Sequence, residues 1–319
     1  MDRFKNILVA ASPGRLEPMT LRAAVRLANT NEAHLTVLDV VPVPWLRRTV
    51  EVEGRVVDVE EELLRGREER LWHLVEGTGA KKDTDVVVKT GEPFVEVIRY
   101  VLANDNDLVM VGGGEVHMAE VPVPSSGVMR LFWKCPVPVW VMRPSRADKF
   151  RILALIDPDP EDPVRDSLND LVLELATSVT RREGGELHLG HAWSLEGEAA
   201  LPVLRAAPHK GKMVETAKTS QREQAALLTK RLDEIGGSVH MVAGDAGNVL
   251  PRLAERLDIG LIVMGTVART GLSRLIMGNT AEAILRAVRC SVLAVKPAGF
   301  VTPVKPARPA KAGSSKGER

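Results

Sequence analysis

The densest group of residues able to do chemistry lies between Leu257 and Lys296, in the stretch LDIGLIVMGTVARTGLSRLIMGNTAEAILRAVRCSVLAVK. Leu261-Ile262-Val263-Met264 is an uninterrupted apolar run, the pattern of a strand buried on both faces. Gly265 ends that run, and Gly271 and Gly278 punctuate the loop-like segment after it. Asn279 stands three residues before Glu282, a helix-start signature that puts Asn in the N-cap place. Ala283, Ile284, Leu285, Ala287 and Val288 then form an apolar helix stripe, and Ser291 to Val295 reads as the next strand. A helix that begins at a glycine turn beside the carboxyl end of a parallel strand has unpartnered N–H groups and a positive dipole end. The chemistry it offers is anion binding. Arg269, Arg274 and Thr280 stand where they would add to that site, although the two arginines read equally well as solvated loop charges.

A second candidate is Asp157, at the end of the apolar run Arg151 to Ile156. The carboxyl end of a strand is where open parallel sheets bind ligands; the competing reading is turn chemistry, since Asp157-Pro158-Asp159-Pro160 suits any loop. The seven histidines are scattered and none forms a helical i, i+4 pair. Only His191 falls near the cleft of its half, where a packed structural histidine is the simpler reading. Cys135 and Cys290 precede apolar runs and read as small core residues. The sequence contains no GxxxxGK[ST], no GxSxG and no HExxH, which excludes a Walker-type ATPase, a nucleophile-elbow hydrolase and a zincin. No catalytic residue and no metal ligand set is assigned.

The elements that must position these residues occur twice. Asn6 to Ala11 is echoed by Arg151 to Ile156, and His34 to Leu38 by Glu186 to Gly190. Val86 to Gly91 is echoed by Val239 to Gly244, Asp107 to Gly112 by Gly260 to Gly265, and Cys135 to Val141 by Cys290 to Val295. Helix-length amphipathic segments lie between them, at Met19 to Asn29 and Ser167 to Thr180. Strand–helix–strand alternation implies right-handed crossovers and a parallel sheet covered on both faces. In each half the second connection is long, Val43 to Lys82 and Ser194 to Gly237. Each reads as irregular at first and then as a helix, roughly Val59 to Val75 and Thr219 to Ile235. The expected domains are 1–146 and 147–298, joined by a short polar link at Ser145 to Lys149. Residues 299–319 alternate Pro with Lys and Arg and read as a disordered basic tail.

Length and composition agree with two aliphatic cores. The chain has 319 residues, 45% hydrophobic but only 3% aromatic. Forty-three basic and 42 acidic residues give a net charge of +1, so no global charge argument exists for nucleic acid or membrane as a partner. Two cysteines make neither a disulfide framework nor a metal set. The N-terminus runs straight into a strand, and no apolar run reaches membrane-spanning length, so a cytoplasmic location is expected.

On these residues the chain resembles the universal stress protein family. That family's signature is a glycine, two residues, a second glycine, nine residues, then glycine followed by Ser or Thr. Here Gly265, Thr266-Val267, Ala268, the nine residues Arg269 to Met277, Gly278 and Asn279 match its spacing throughout. Ala268 replaces the second glycine and Asn279 the Ser or Thr. The first half keeps less: Ala11-Ser12 stands where an acid is expected, and after Gly112-Gly113-Gly114 no second phosphate-turn glycine occurs at the proper spacing. The resemblance implies two tandem α/β domains, each a five-stranded parallel sheet with helices on both faces, of the Rossmann-like adenine nucleotide alpha hydrolase type. They are expected to pair within the chain through their last strands, with Val137, Val139, Val141, Val292, Leu293 and Val295 in contact; a homodimer remains open. It further implies a stress-response regulatory or binding protein rather than an enzyme. The alternative is a switch or weak hydrolase that uses ATP or ADP with Mg in the second half only. By resemblance the nucleotide-binding set is Asp157, Gly265, Ala268, Arg269, Gly278, Asn279 and Thr280. An Ala at a position needing φ > 0 costs about 1 kcal/mol and adds a methyl near the phosphates.

Overall fold

The computed structural model describes residues 3–11, 16–42, 49–52, 55–81, 83–113, 124–144, 150–158, 162–193, 236–266 and 278–306, with positions 219, 226, 229 and 230. The first half runs β1 (Asn6–Ala10), α1 (Pro18–Asn31), β2 (His34–Val41), β3 (Thr49–Val52), β4 (Arg55–Asp58), α2 (Val59–Glu76), β5 (Thr84–Thr90), α3 (Pro93–Asn104), β6 (Leu108–Gly112), α4 (Ser126–Lys134) and β7 (Val139–Met142). The second runs β8 (Arg151–Leu155), α5 (Pro163–Glu183), β9 (Glu186–Trp193), β10 (Ser238–Ala243), α6 (Ala246–Arg256), β11 (Leu261–Gly265), α7 (Asn279–Ala287) and β12 (Ser291–Val295). Local chemistry sets several ends. Pro18 and Pro163 pre-set the first turns of α1 and α5. The Asp162 carboxylate accepts from the backbone N–H of Val164 and Arg165 at 3.1 Å, and Gly184 leaves α5 at φ 64°.

Among the described residues ten strands form one sheet, in the order β10-β9-β8-β11-β12-β7-β6-β1-β2-β5. Each half contributes its strands in the same order, third, second, first, fourth, fifth, and pairs them in parallel. The halves meet at an antiparallel pairing, β7 against β12, with Val141 opposite Val292, Trp140 opposite Leu293 and Val139 opposite Ala294. The expected contact through the last strands is therefore present, with Val137 and Val295 outside the paired register. Residue alternation along each strand divides the core in two. Ile7, Val9, Leu35, Val37, Trp140 and Leu293 pack under α1, α2 and α5. Leu8, Ala10, Leu38, Val141, Val292 and Ala294 pack under α3, α4, α6 and α7. Both clusters draw on both halves, so the core is continuous across the junction on each face.

Two cations lock the junction from equivalent places, one residue past β7 and one past β12. Arg143 is 2% exposed. Its guanidinium donates to Val288 O at 2.8 Å and Leu285 O at 3.0 Å, at the C-terminus of α7. Its N–H donates to Ser291 Oγ at 3.0 Å, and the Ser291 hydroxyl donates back to Arg143 O at 3.1 Å. Lys296, 8% exposed, donates from Nζ to Phe132 O at 2.7 Å in the last turn of α4. Each cation thus caps the last helix of the opposite half, whose terminal carbonyls lack intrahelical partners. Gly113 makes room for one of them: a Cβ there would stand 2.6 Å from Arg143 Cγ and 2.8 Å from Met142 O.

Three local expectations are corrected. The run from Cys135 does not enter the sheet at once. Cys135 is the C-cap of α4, and pairing begins only at Val139, after Pro136 and Pro138, which have no N–H to give a ladder. In the long connection of the first half the described residues before the helix are not irregular: β3 and β4 pair antiparallel. The chain past 298 keeps contact with the body: Val304 packs against the second core cluster, and Lys305 O accepts from Arg99 Nε at 3.3 Å. Nearly all of the helix expected at Thr219 to Ile235 lies outside the described residues, as do residues 307–319. Among the described residues no helix is long and apolar enough to cross a membrane.

Arg143→Met leaves the carbonyls at the end of α7 without their buried donor. It should lower the unfolding free energy by about 2–4 kcal/mol, read from the shift of the urea midpoint at constant slope. Lys296 gives a pH-dependent counterpart. Burial lowers its pKa from the usual 10.5 to about 8, so between pH 8 and 10.5 the unfolded chain holds more protons than the folded one. The cost of burying the ammonium is full below pH 8 and disappears as pH rises toward 10.5. Lys296→Met should therefore compare more favourably with the unsubstituted protein at pH 7 than at pH 10, in denaturant titrations of both at the two pH values.

Candidate functional site

Within the second half the strand order reverses between β8 and β11, and their carboxyl ends lie side by side at this switch point, the usual ligand position in an open α/β sheet. Asp157 lies just past β8. Its backbone is clamped by Asn169 of α5: Asp157 N donates to Asn169 Oδ1 at 3.2 Å, and Asn169 Nδ2 donates to Asp157 O at 3.0 Å. The Asp157 carboxylate, 44% exposed, is 3.5 Å from Arg165 Nη1 and 3.9 Å from His191 Nδ1. His191 is 4% exposed and also has Nδ1 at 2.9 Å from Ile156 O. The histidine near the cleft thus supports the strand end and the carboxylate beside it.

On the other bank, Gly265 ends β11 and packs so closely on α5 that a Cβ would stand 2.5 Å from Leu168 Cδ2. Thr266, 2% exposed, closes the base of the signature loop. Its N–H donates to Val295 O at 3.1 Å, and its carbonyl accepts from Gly278 N at 3.3 Å, joining the two ends of that loop. Its hydroxyl receives Lys296 Nζ at 2.6 Å. Gly278 itself is the N-cap of α7, with φ −73° and ψ 129° and no side-chain cap bond. The reading of Asn279 as the cap is corrected by one place: Asn279 is the first helical residue, and both it and Thr280 are exposed. Glycine at the cap brings no side-chain acceptor of its own to the α7 N–H groups, which suits a site for an external anion.

The structure thus brings Asp157, Gly265, Gly278, Asn279 and Thr280 to one end of the sheet. Ala268, Arg269 and Arg274 lie outside the described residues. Asn169, Arg165, Thr266 and Lys296 do not stand out in the sequence, because an Asn within a helix or a Lys after a strand carries no local signal of what it will meet.

The corresponding end of the first half is chemically different. The carboxylate of Glu17, the N-cap residue of α1, lies against Gly112 where a Cβ would collide with it. The Thr20 hydroxyl donates to Glu17 Oε2 at 3.4 Å. A carboxylate on the last residue of β6 repels phosphate at the place where the second half presents Gly265. The thiols of Cys135 and Cys290 are buried and pushed up to about 12, so neither is a nucleophile near neutral pH. No group of three or more His, Cys, Asp or Glu among the described residues is arranged to hold a metal ion.

The model of the universal stress protein family matches residues 3–143 and 151–296. Universal stress protein E of Salmonella typhi is 28% identical over 315 residues, which cover 96% of this chain and 98% of that protein. Its namesake from Escherichia coli strain K12 is 30% identical over 228 residues, 69% of this chain and 70% of that protein. Among solved structures, a universal stress protein from Archaeoglobus fulgidus superposes with a TM-score of 0.62 over 92% of this chain and 99% of its own, at 17% identity, a likeness of fold.

Proposed function

Because the chain belongs to the universal stress protein family, we propose that it is a binding and regulatory protein of the stress response, with no turnover chemistry of its own. Its ligand site is in the second half, and the ligand is an adenine nucleotide, ATP or ADP. The observation that carries this reading is the bond from Gly278 N to Thr266 O. It holds the start of α7 against the end of β11 at the switch point, with Asp157 on the facing bank. A phosphate there meets the N-terminus of a helix, and the Asp157 carboxylate, 44% exposed beside Arg165, is placed to accept from hydroxyl groups of the ribose. The regulatory reading is supported by the surroundings of that site. Asp157 is paired with Arg165, and His191 is bonded to a strand carbonyl. The first half, with Glu17 against Gly112, takes no nucleotide. The same reading makes the protein cytoplasmic.

Isothermal titration with ATP tests the assignment. Ala268→Gly removes a methyl from the signature loop and should tighten binding by up to about tenfold, the equivalent of ~1.4 kcal/mol. Gly278→Val puts a β-branched side chain at the cap of α7 and should abolish binding. Denaturing the purified protein and separating the supernatant by chromatography should release adenine nucleotide in at most one equivalent per chain. Two equivalents would overturn the restriction to one half. No heat of binding for Ala268→Gly would overturn the nucleotide reading itself.

A further inference from the structure

The two cations that lock the junction both hold elements that frame the proposed nucleotide site, Lys296 at the loop base and Arg143 at the far end of α7. Lys296 Nζ lies 2.6 Å from Thr266 Oγ1 and 2.7 Å from Phe132 O, so one buried ammonium joins the base of the signature loop to the last turn of α4 in the first half. The same ammonium stands 5.7 Å from the centre of the Phe132 ring and 5.3 Å from that of Phe300, aromatic faces that suit a desolvated cation. Among the described residues, Thr266 is otherwise held through its backbone and through Val295 O, which also accepts its hydroxyl at 3.2 Å. Arg143, from the first half, holds the far end of α7, whose near end is the proposed phosphate site. A helix is stiff along its axis, so a donor array at the C-terminus fixes where the N-terminus points.

We infer that the first half, although it takes no ligand itself, acts as the positioning partner of the second half's site, through Lys296 at the loop base and Arg143 at the end of α7. Lys296 is the principal positioning residue: it fixes the side chain of Thr266, whose carbonyl accepts Gly278 N, and so sets the opening between the strand end and the start of α7. The inference rests on the nucleotide reading for its ligand but not for its geometry. It gives a physical reason for a half without a working motif to be kept in the chain, because without Phe132 O the lysine loses its second anchor and without Arg143 the helix loses its brace.

The test uses the full chain and three variants. Lys296→Met keeps the side-chain volume and removes the donor, Thr266→Val removes the acceptor, and Val141→Ala loosens the β7–β12 junction without touching either group. Hydrogen exchange is measured at the Gly278 amide, and ATP affinity by titration. Lys296→Met and Thr266→Val should each speed exchange at Gly278 by about tenfold and weaken ATP by a similar factor. Val141→Ala, although less stable, should leave both within about twofold of the unsubstituted protein. Unchanged exchange in Lys296→Met, or equal acceleration in Val141→Ala, would overturn the positioning role and leave only a general loosening. If the unsubstituted protein binds neither ATP nor ADP, the nucleotide reading fails by itself, and the exchange comparison still decides the role of Lys296.

Discussion

The structure depends on one antiparallel pairing, β7 against β12. A five-stranded parallel sheet ends in an edge whose N–H and C=O groups are unpaired, and a fifth strand of Val139-Trp140-Val141 is apolar on both faces. Pairing it with β12 satisfies the backbone of both strands and continues the sheet without a break. That pairing dictates the packing on each face. Trp140 and Leu293 bridge the halves on the α1, α2 and α5 side, while Val141, Val292 and Ala294 do so on the other. Four helices, α3, α4, α6 and α7, share one of those cores, which brings α4 and α7 close enough for each to be capped by a cation from across the junction.

The two ends of this sheet have diverged in charge while keeping the same backbone. Gly112 and Gly265 end equivalent strands, yet a carboxylate fills the space over the first and the aliphatic Leu168 packs on the second. That difference owes nothing to the count of glycines: the first half has three in a row at 112–114. Burial explains why the junction's cations are weakened bases. A guanidinium and an ammonium are costly to bury, and both lose basicity here, Arg143 to about 10 and Lys296 to about 8. Each meets backbone carbonyls that would otherwise be unpartnered at the end of a helix, and those bonds offset part of the cost.

Much of this is legible in the sequence, for identifiable reasons. Strands buried on both faces leave continuous apolar runs, so β1, β6, β8, β11 and β12 stand out, and their repetition gives the two-half organisation. The spacing from Gly265 to Gly278 marks a strand end and a helix start that the fold joins through one backbone bond. What the residues do not disclose is long-range. Arg143 and Lys296 each read as a polar residue after a strand, and their partners lie 145 positions away at Val288 and 164 away at Phe132. Glu17 reads as an ordinary residue before a helix. The β3–β4 pairing escapes the sequence reading although Val50-Glu51-Val52 and Arg55-Val56-Val57 flank Gly54, a short-range signal outweighed by the helix pattern beside it. Asn279 is one position off as a cap, as helix boundaries commonly are when Gly and Asn, both good caps, stand side by side.

Equivalent places in the two halves carry different residues, Arg143 in one and Lys296 in the other, and the pairs they form are not interchangeable. An assembly of two identical chains must present the same side chain at both places, since a two-fold axis copies every substitution. Covalent duplication lifts that constraint. One strand-to-strand seam can be tuned independently on its two sides, a guanidinium fork gripping several carbonyls on one and a lysine reaching a threonine on the other. Severed between 144 and 150, the chain would become two fragments, each with a bare apolar strand edge and a cation whose present partners lie on its counterpart.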